Sequence, residues 1–500
     1  MYSYKQEKKN KVRHKIIQQA VEDLTIYRNT SCCVSRNYPR MLYDYFCDQE
    51  ETKEKNETMK IDLTYLLNWE RLHDSCMNYK KPDELSVCYL AGPEPQNDFN
   101  EFVNLGVLPQ NIWAFENDKN TYRSAVKELS GIGFPKPKIL KMPFEQFMKA
   151  TPKKFDIIYF DACGSLISDK HVMRNIASIF KFHRINSPGI IISNIASVDF
   201  SDEEVLTEYL DILSLYFWCK DNNNEKVVIK KNKVENITYL KLRAKIKSDI
   251  FTYYSKFITL YIMDLGSVII PILRFCNSNL INCVISDDVN KKKFTNSIDE
   301  INKIQNNKLF KFFSLINFTN QSFNGMINDL IYDSMGLDNN KIDIFSSFKL
   351  IETIRNNTSN LKKEILEINS YVNTMRNIYQ FLDKPSSNLF VDTIINQLSY
   401  PLHYVTSKMR SYQYKAKQTN MLTDVCVFDE CRYIYDWLPT INQMQSSFND
   451  LSWQYIFRFA LDGLIKNRIN YNNEFYFQSS VVSTSIENFK GLKLSERNII

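Results

Sequence analysis

Phe155-Asp156-Ile157-Ile158-Tyr159-Phe160-Asp161-Ala162-Cys163-Gly164 is an apolar run that ends on a carboxylate and a set of small residues. A strand buried on both faces reads this way, because neither side of it meets water. Four more runs of the same kind flank it, Val87 to Ala91, Asn111 to Glu116, Lys138 to Lys141 and Gly189 to Ile195, with amphipathic segments between them. That alternation predicts an α/β domain with a parallel sheet over Ser86 to Ser197. A ligand of such a sheet sits outside the carboxyl ends of the strands. Functional residues are therefore expected at Ala91-Gly92-Pro93-Glu94, Glu116-Asn117-Asp118, Met142-Pro143, Asp161 to Gly164 and Ser193-Asn194.

The chain has 500 residues, more than one ordinary core holds, and about two to four domains are expected. Hydrophobic residues at 44% and only 11 glycines describe a folded protein with little flexible linker. Lys+Arg 63 against Asp+Glu 57 leaves +6, too little for the overall charge to name an acidic partner. The cysteines form no CxxC pair, so no zinc ribbon is expected. No secretory leader is legible, and a reducing cytoplasmic setting is the expectation. Phe257 to Leu273 is apolar but is interrupted by Gly266 and Pro271 and falls short of the roughly 20 residues a spanning helix needs, so it is assigned to the core and no membrane is expected.

The expected organisation is a helical N-terminal region over 1–82, the sheet domain over 83–285, and a mainly helical substrate or partner domain over 286–500. Near the start, Lys5, Lys8, Lys9, Lys11, Arg13 and Lys15 stand against one acid, Glu7. They read either as a phosphate-seeking arm or as the solvated face of a helix continuing through Ile16, Ile17, Ala20 and Val21. Ser201 and Glu204 have the spacing of a capping box. Val227–Ile229 and Ile237–Leu242 are candidate strands for closing the sheet. Leu361, Ile365, Ile368, Val372, Met375, Tyr379 and Leu382 repeat at helical spacing, as in a core-packed helix or a short coiled coil.

The strand ends carry the parts that hold a nucleoside. A loop with small residues lets backbone approach a ligand, and a carboxylate accepts hydrogen bonds from both ribose hydroxyls. Glu116 is the residue expected at the ribose. On these residues the stretch from about Leu85 to Ile195 resembles the class I S-adenosylmethionine-dependent methyltransferases, which have a Rossmann-like sheet. The resemblance implies S-adenosylmethionine as cofactor, with Ala91, Gly92, Pro93 and Glu94 around its methionine part, and Glu116, Asn117 and Met142 toward the ribose and adenine. It also implies a substrate-facing, catalytic position at Asp161. Three features depart from the family pattern: Tyr89 stands where an acid is usual, Leu90 to Pro95 has one glycine and two prolines, which donate no N–H, and Lys141-Met142-Pro143-Phe144 lacks the adenine-side acid after strand three. The Asp161-Ala162-Cys163 run is similar to a motif of RNA cytosine-5 methyltransferases, although the second cysteine motif of that group is absent. The alternative reading is a non-catalytic Rossmann-like binding or scaffolding subunit. A nicotinamide enzyme is disfavoured by the missing GxGxxG.

Tyr400, His403, Lys408, Arg410, Tyr412 and Tyr414 interleave cations and aromatics with no acid before Asp424. Cations meet phosphates and tyrosines stack on bases, so this stretch is a candidate contact for RNA or single-stranded DNA. The alternative is a solvated face with tyrosines packed inward. The C-terminal helices are also a candidate surface for a protein partner. Asp429 and Glu430, after a predicted strand Val425–Phe428, read as a helix-entry pair or as a metal or substrate site.

Overall fold

The computed structural model describes residues 7–134, 138–162, 164–167, 170–220, 229–230, 233–286, 312, 342–356, 360–374, 381, 387–416, 418–467 and 494–500. Cys163, Lys417, Met375, Tyr379 and Leu382 lie outside them.

All five expected strands form: β1 (Val87–Leu90), β2 (Ile112–Glu116), β3 (Lys138–Lys141), β4 (Phe155–Asp161) and β5 (Ile185–Ala196). They pair in parallel in the order β3-β2-β1-β4-β5. Between them run the helices Gln96–Asn104, Lys119–Ser130, Phe144–Ala150 and Lys170–Lys181. Covered on both faces by helices, β4 has its first six residues buried, and Asp161 is its first residue that is not fully buried. The fold is a mixed α/β, Rossmann-like sheet flanked by helices.

The sheet does not end at 285. The two-residue strands β6 (Ile229–Lys230) and β7 (Lys233–Val234) form a hairpin of their own, and Ile237–Ser248 is a helix, so neither closes the sheet as expected. Closure comes from β8 (His403–Tyr404), β9 (Arg410–Ala416) and β10 (Thr419–Asp429). β10 runs antiparallel to β5, with Thr423 opposite Asn194, and β9 runs antiparallel to β10. β11 (Asn498–Ile499) adds to β9 in parallel, completing a nine-stranded sheet. The expected boundary at 286 therefore does not separate the sheet from a helical remainder. The chain leaves after β5 and returns more than two hundred residues later to fill the same layer.

The helix Ile250–Asp264 and its continuation to Asn277 are long and apolar enough to cross a membrane by composition, but 94% of the most apolar window is buried in this fold. Asp264, its one acid, accepts from Lys220 Nζ at 2.8 Å and Tyr216 Oη at 2.6 Å, so the charge is paired inside the core. At the helix Glu203–Lys220 the cap is Asp202, whose carboxylate accepts from the N–H groups of Glu204 and Val205, rather than Ser201. Leu361, Ile365, Ile368 and Val372 are buried around the helix Lys363–Thr374, which favours the core-packed reading over the coiled coil.

Candidate functional site

A cavity of about 860 Å³ opens at the carboxyl ends of β1, β2 and β4. This is the point where the strand order reverses direction from β1, and open α/β sheets bind ligands there. Ala91, Gly92, Pro93, Glu94, Glu116, Asn117, Met142 and Asp161 all line it, so every cofactor position expected from the sequence is brought to one space.

Each wall has a local cause. Gly92 sits at φ +60°, a left-handed conformation that favours glycine, and no atom lies within 4 Å of where a Cβ would be. Backbone geometry, not crowding, fixes the residue type. Tyr89, in the place of the expected acid, is buried and donates from its hydroxyl to the Pro95 carbonyl at 3.0 Å, which pins the proline-containing loop. Glu116 Oε1 accepts from the Asp118 N–H at 2.8 Å, and Oε2 has no partner among the described residues. Asp118 caps the following helix through the N–H groups of Asn120 and Thr121. Met142 lies beside an aromatic wall in which Phe144 touches Phe115 and Phe160, with ring centroids 5.6 and 5.8 Å apart.

The fourth wall is the N-terminal helix Glu7–Leu24. Lys9, Asn10 and Arg13 line the cavity. Lys9 Nζ lies 2.9 Å from Asp161 Oδ2, and Arg13 Nε donates to Asp98 Oδ1 at 2.6 Å. Arg13 Nη1 donates to Asn10 Oδ1, while Nη2 has no partner among the described residues. Burial pushes the Asp98 carboxyl up to about 6, with Arg13 only partly opposing it. Burial works against the Lys9 ammonium, but the charge and hydrogen bond of Asp161 outweigh it and its pKa stands above the ordinary value. The run of cations is thus neither a free arm nor merely a solvated face. Lys9 and Arg13, four apart, continue the stripe of buried Val12, Ile16 and Ala20 toward the helix start, and cations in line with a buried stripe require buried partners. That spacing was the available signal for two site residues the strand-end reasoning missed.

Asn194, expected from the sequence as a strand-end residue, bonds to Asp161 directly. At the end of β5 it donates from Nδ2 to Asp161 Oδ1 at 2.6 Å and to Tyr414 Oη at 2.9 Å, and its Oδ1 accepts from Thr423 Oγ1 at 2.7 Å.

The Tyr400–Tyr414 stretch does not come together as a nucleic-acid surface. Tyr412 and Tyr414, at 1% and 3% exposure, point into the fold from β9, and a buried ring offers no platform for a base. His403 is buried with its Nε2 at 2.9 Å from Tyr435 Oη. Lys408 is held by Asp23 at 2.9 Å, and Arg410 Nη1 donates to the carbonyls of Ser407 and Met409. Tyr400 alone is exposed, with the Arg432 guanidinium 4.2 Å from its ring centre. None of the six lines the cavity. Asp429 is buried at the end of β10, accepting from the N–H groups of Cys33 and Cys431 and the hydroxyls of Ser187 and Tyr433, and it precedes no long helix. Glu430 lies against His183 and Lys154.

No protein-family model matches the sequence, and no curated protein matches it. Among solved structures, an S-adenosylmethionine-dependent methyltransferase from Clostridium acetobutylicum ATCC 824 is similar over 32% of this chain and 58% of its own length, with 15% identity and a TM-score of 0.19. The chain thus spans little more than half of that protein, and a likeness so distant carries no argument about activity. The fold assignment rests on the strand order and register themselves.

Proposed function

We propose that the cavity binds S-adenosylmethionine and that the chain transfers its methyl group to a large acceptor. The observation that carries the reading is the convergence of Gly92, Glu116, Met142 and Asp161 on one cavity at the reversal point of the sheet. The donor set fits the cofactor. Glu116 would accept from the ribose hydroxyls, the Phe115–Phe144 wall and Met142 would take the adenine, and the open backbone at Gly92 would admit the methionine chain. Pro93 and Pro95 supply no N–H for the cofactor carboxylate, and Arg13 with Asn10 would supply that contact instead.

The cofactor, when bound, supplies an electrophilic methyl group. Asp161 orients the attacking group and accepts its proton, while Lys9, the more exposed partner of that carboxylate, yields its place to the acceptor. RNA and single-stranded DNA are the first acceptors to assay, and binding of a protein partner through the C-terminal helices is a separate proposal. A non-catalytic binding subunit is the second reading, favoured by the Lys9–Asp161 ion pair across the cavity. Methyl transfer from labelled cofactor to pools of RNA, DNA and protein, lost in Asp161→Asn, tests the first. Cofactor binding with no transfer to any pool selects the second.

A further inference from the structure

We propose that Asn194, locked in orientation by the Thr423 hydroxyl, is the positioning residue for Asp161, so that the returning strand β10 is part of the reacting site. This rests on the reading of Asp161 as the acceptor-facing group.

The geometry leaves the Asn194 carboxamide one orientation. An ionised carboxylate only accepts, so the atom of Asn194 facing Asp161 Oδ1 at 2.6 Å is a donor, Nδ2. The same nitrogen's second N–H meets Tyr414 Oη at 2.9 Å. On the opposite side Oδ1 accepts from Thr423 Oγ1 at 2.7 Å. Asn194 and Thr423 are 1% and 0% exposed, so water does not substitute for a missing partner. The two oxygens of Asp161 are therefore held differently. Oδ1 has a buried, neutral donor on the neighbouring strand, and Oδ2 has Lys9 on a helix, 26% exposed. An acceptor entering the cavity displaces the lysine and leaves the asparagine in place.

Thr423 and Asn194 face one another because β10 pairs with β5 in a register that sets them opposite. Arg497 extends the chain of contacts by donating to the Thr423 carbonyl at 3.0 Å. A site built only from the contiguous parallel strands would lack the Thr423 hydroxyl and leave the buried carboxamide oxygen without a donor. The Asn194 side chain would then shift to satisfy that oxygen, weakening its hold on Asp161 Oδ1.

The test compares Thr423→Val, which keeps the shape and removes the hydroxyl, with Thr423→Ser, which keeps the hydroxyl. Selective ¹⁵N-asparagine labelling reads the Asn194 side-chain NH₂ directly, with Asn194→Ala used to assign it. In the parent and Thr423→Ser the pair should be downfield and protected from exchange, and in Thr423→Val it should lose protection. In parallel, Thr423→Val should lower kcat for methyl transfer about tenfold while cofactor Kd stays within about twofold, and Thr423→Ser should restore most of kcat. An NH₂ pair unchanged by Thr423→Val overturns the positioning role whatever the activity, as does a kcat unchanged in a folded Thr423→Val protein. Protection lost in Thr423→Val but a parent that binds no S-adenosylmethionine keeps the positioning of Asp161 and overturns only the cofactor reading.

Discussion

Replacing Arg497 by alanine should unfold the sheet edge from a position far outside the cavity. Asp424, on β10, is 0% exposed, and its carboxylate is paired with Arg497 Nη1 at 2.8 Å and Nη2 at 2.9 Å. Ser411 and Thr259 hydroxyls donate to it at 2.6 and 3.0 Å, but they are neutral. Without Arg497 a buried charge is left with no cation, and breaking such a pair from one side costs about 3–5 kcal/mol. The guanidinium also donates to Ser255 Oγ and to the carbonyls of Ser255 and Thr423, so the neighbouring helix loosens with it. With an unfolding entropy of about 2.1 cal/mol/K per residue, a 500-residue chain shifts by about 1 °C per kcal/mol, giving a fall in Tm of roughly 3–5 °C. Differential scanning calorimetry on the full chain reads this. The double variant Asp424→Asn with Arg497→Ala should recover part of the loss, because the charge that lacks a partner has been removed. A Tm for Arg497→Ala within about 1 °C of the parent would refute the view that residues 494–500 complete the core.

Glu116→Ala should weaken S-adenosylmethionine binding by about 1.5–3 kcal/mol, the worth of hydrogen bonds to a charged acceptor, read by calorimetric titration. Asp161→Asn should leave that affinity nearly intact and lower methyl transfer, which single-turnover assays separate. Asp98 has a folded-state pKa raised from 3.8 to about 6. The folded protein therefore holds this proton more tightly than the unfolded chain, and its contribution is fully present below about 4 and lost as pH rises through about 6. Relative to Asp98→Asn, which keeps an acceptor for Arg13, the parent should lose up to about 3 kcal/mol between those limits, measured as the difference in unfolding free energy against pH.

The parallel half of the fold was legible because its signal is local. Each buried strand is a short apolar run, and the residue that ends it names a cavity wall, as Glu116 and Asp161 do. In the antiparallel half Val425–Phe428, inside β10, is legible as a strand, but β9 is not, for a reason visible in one stretch. In Arg410-Ser-Tyr-Gln-Tyr-Lys-Ala416 the tyrosines recur every second residue, the period of a strand with one face inside, yet the same letters satisfy a pattern of cations interleaved with aromatics. Only the pairing of Tyr412 with Thr423 and of Thr423 with Asn194 decides between them, and pairing across more than two hundred residues leaves no local trace. Lys9 and Arg13 show the converse. Their helical spacing was present in the sequence, but the partners Asp161 and Asp98 that make it meaningful belong to other elements. Asn194 is legible as a strand end, but its bond to Thr423 is not.

The cavity at the ends of β1, β2 and β4 is proposed to hold S-adenosylmethionine. Isothermal titration of the purified chain with S-adenosylmethionine, its demethylated product and NAD, repeated on Glu116→Ala, tests it most directly. Saturable binding of the first two, weakened in Glu116→Ala, with no binding of NAD is the predicted result. Absence of heat with either adenosyl compound, or equal affinity in Glu116→Ala, would contradict it.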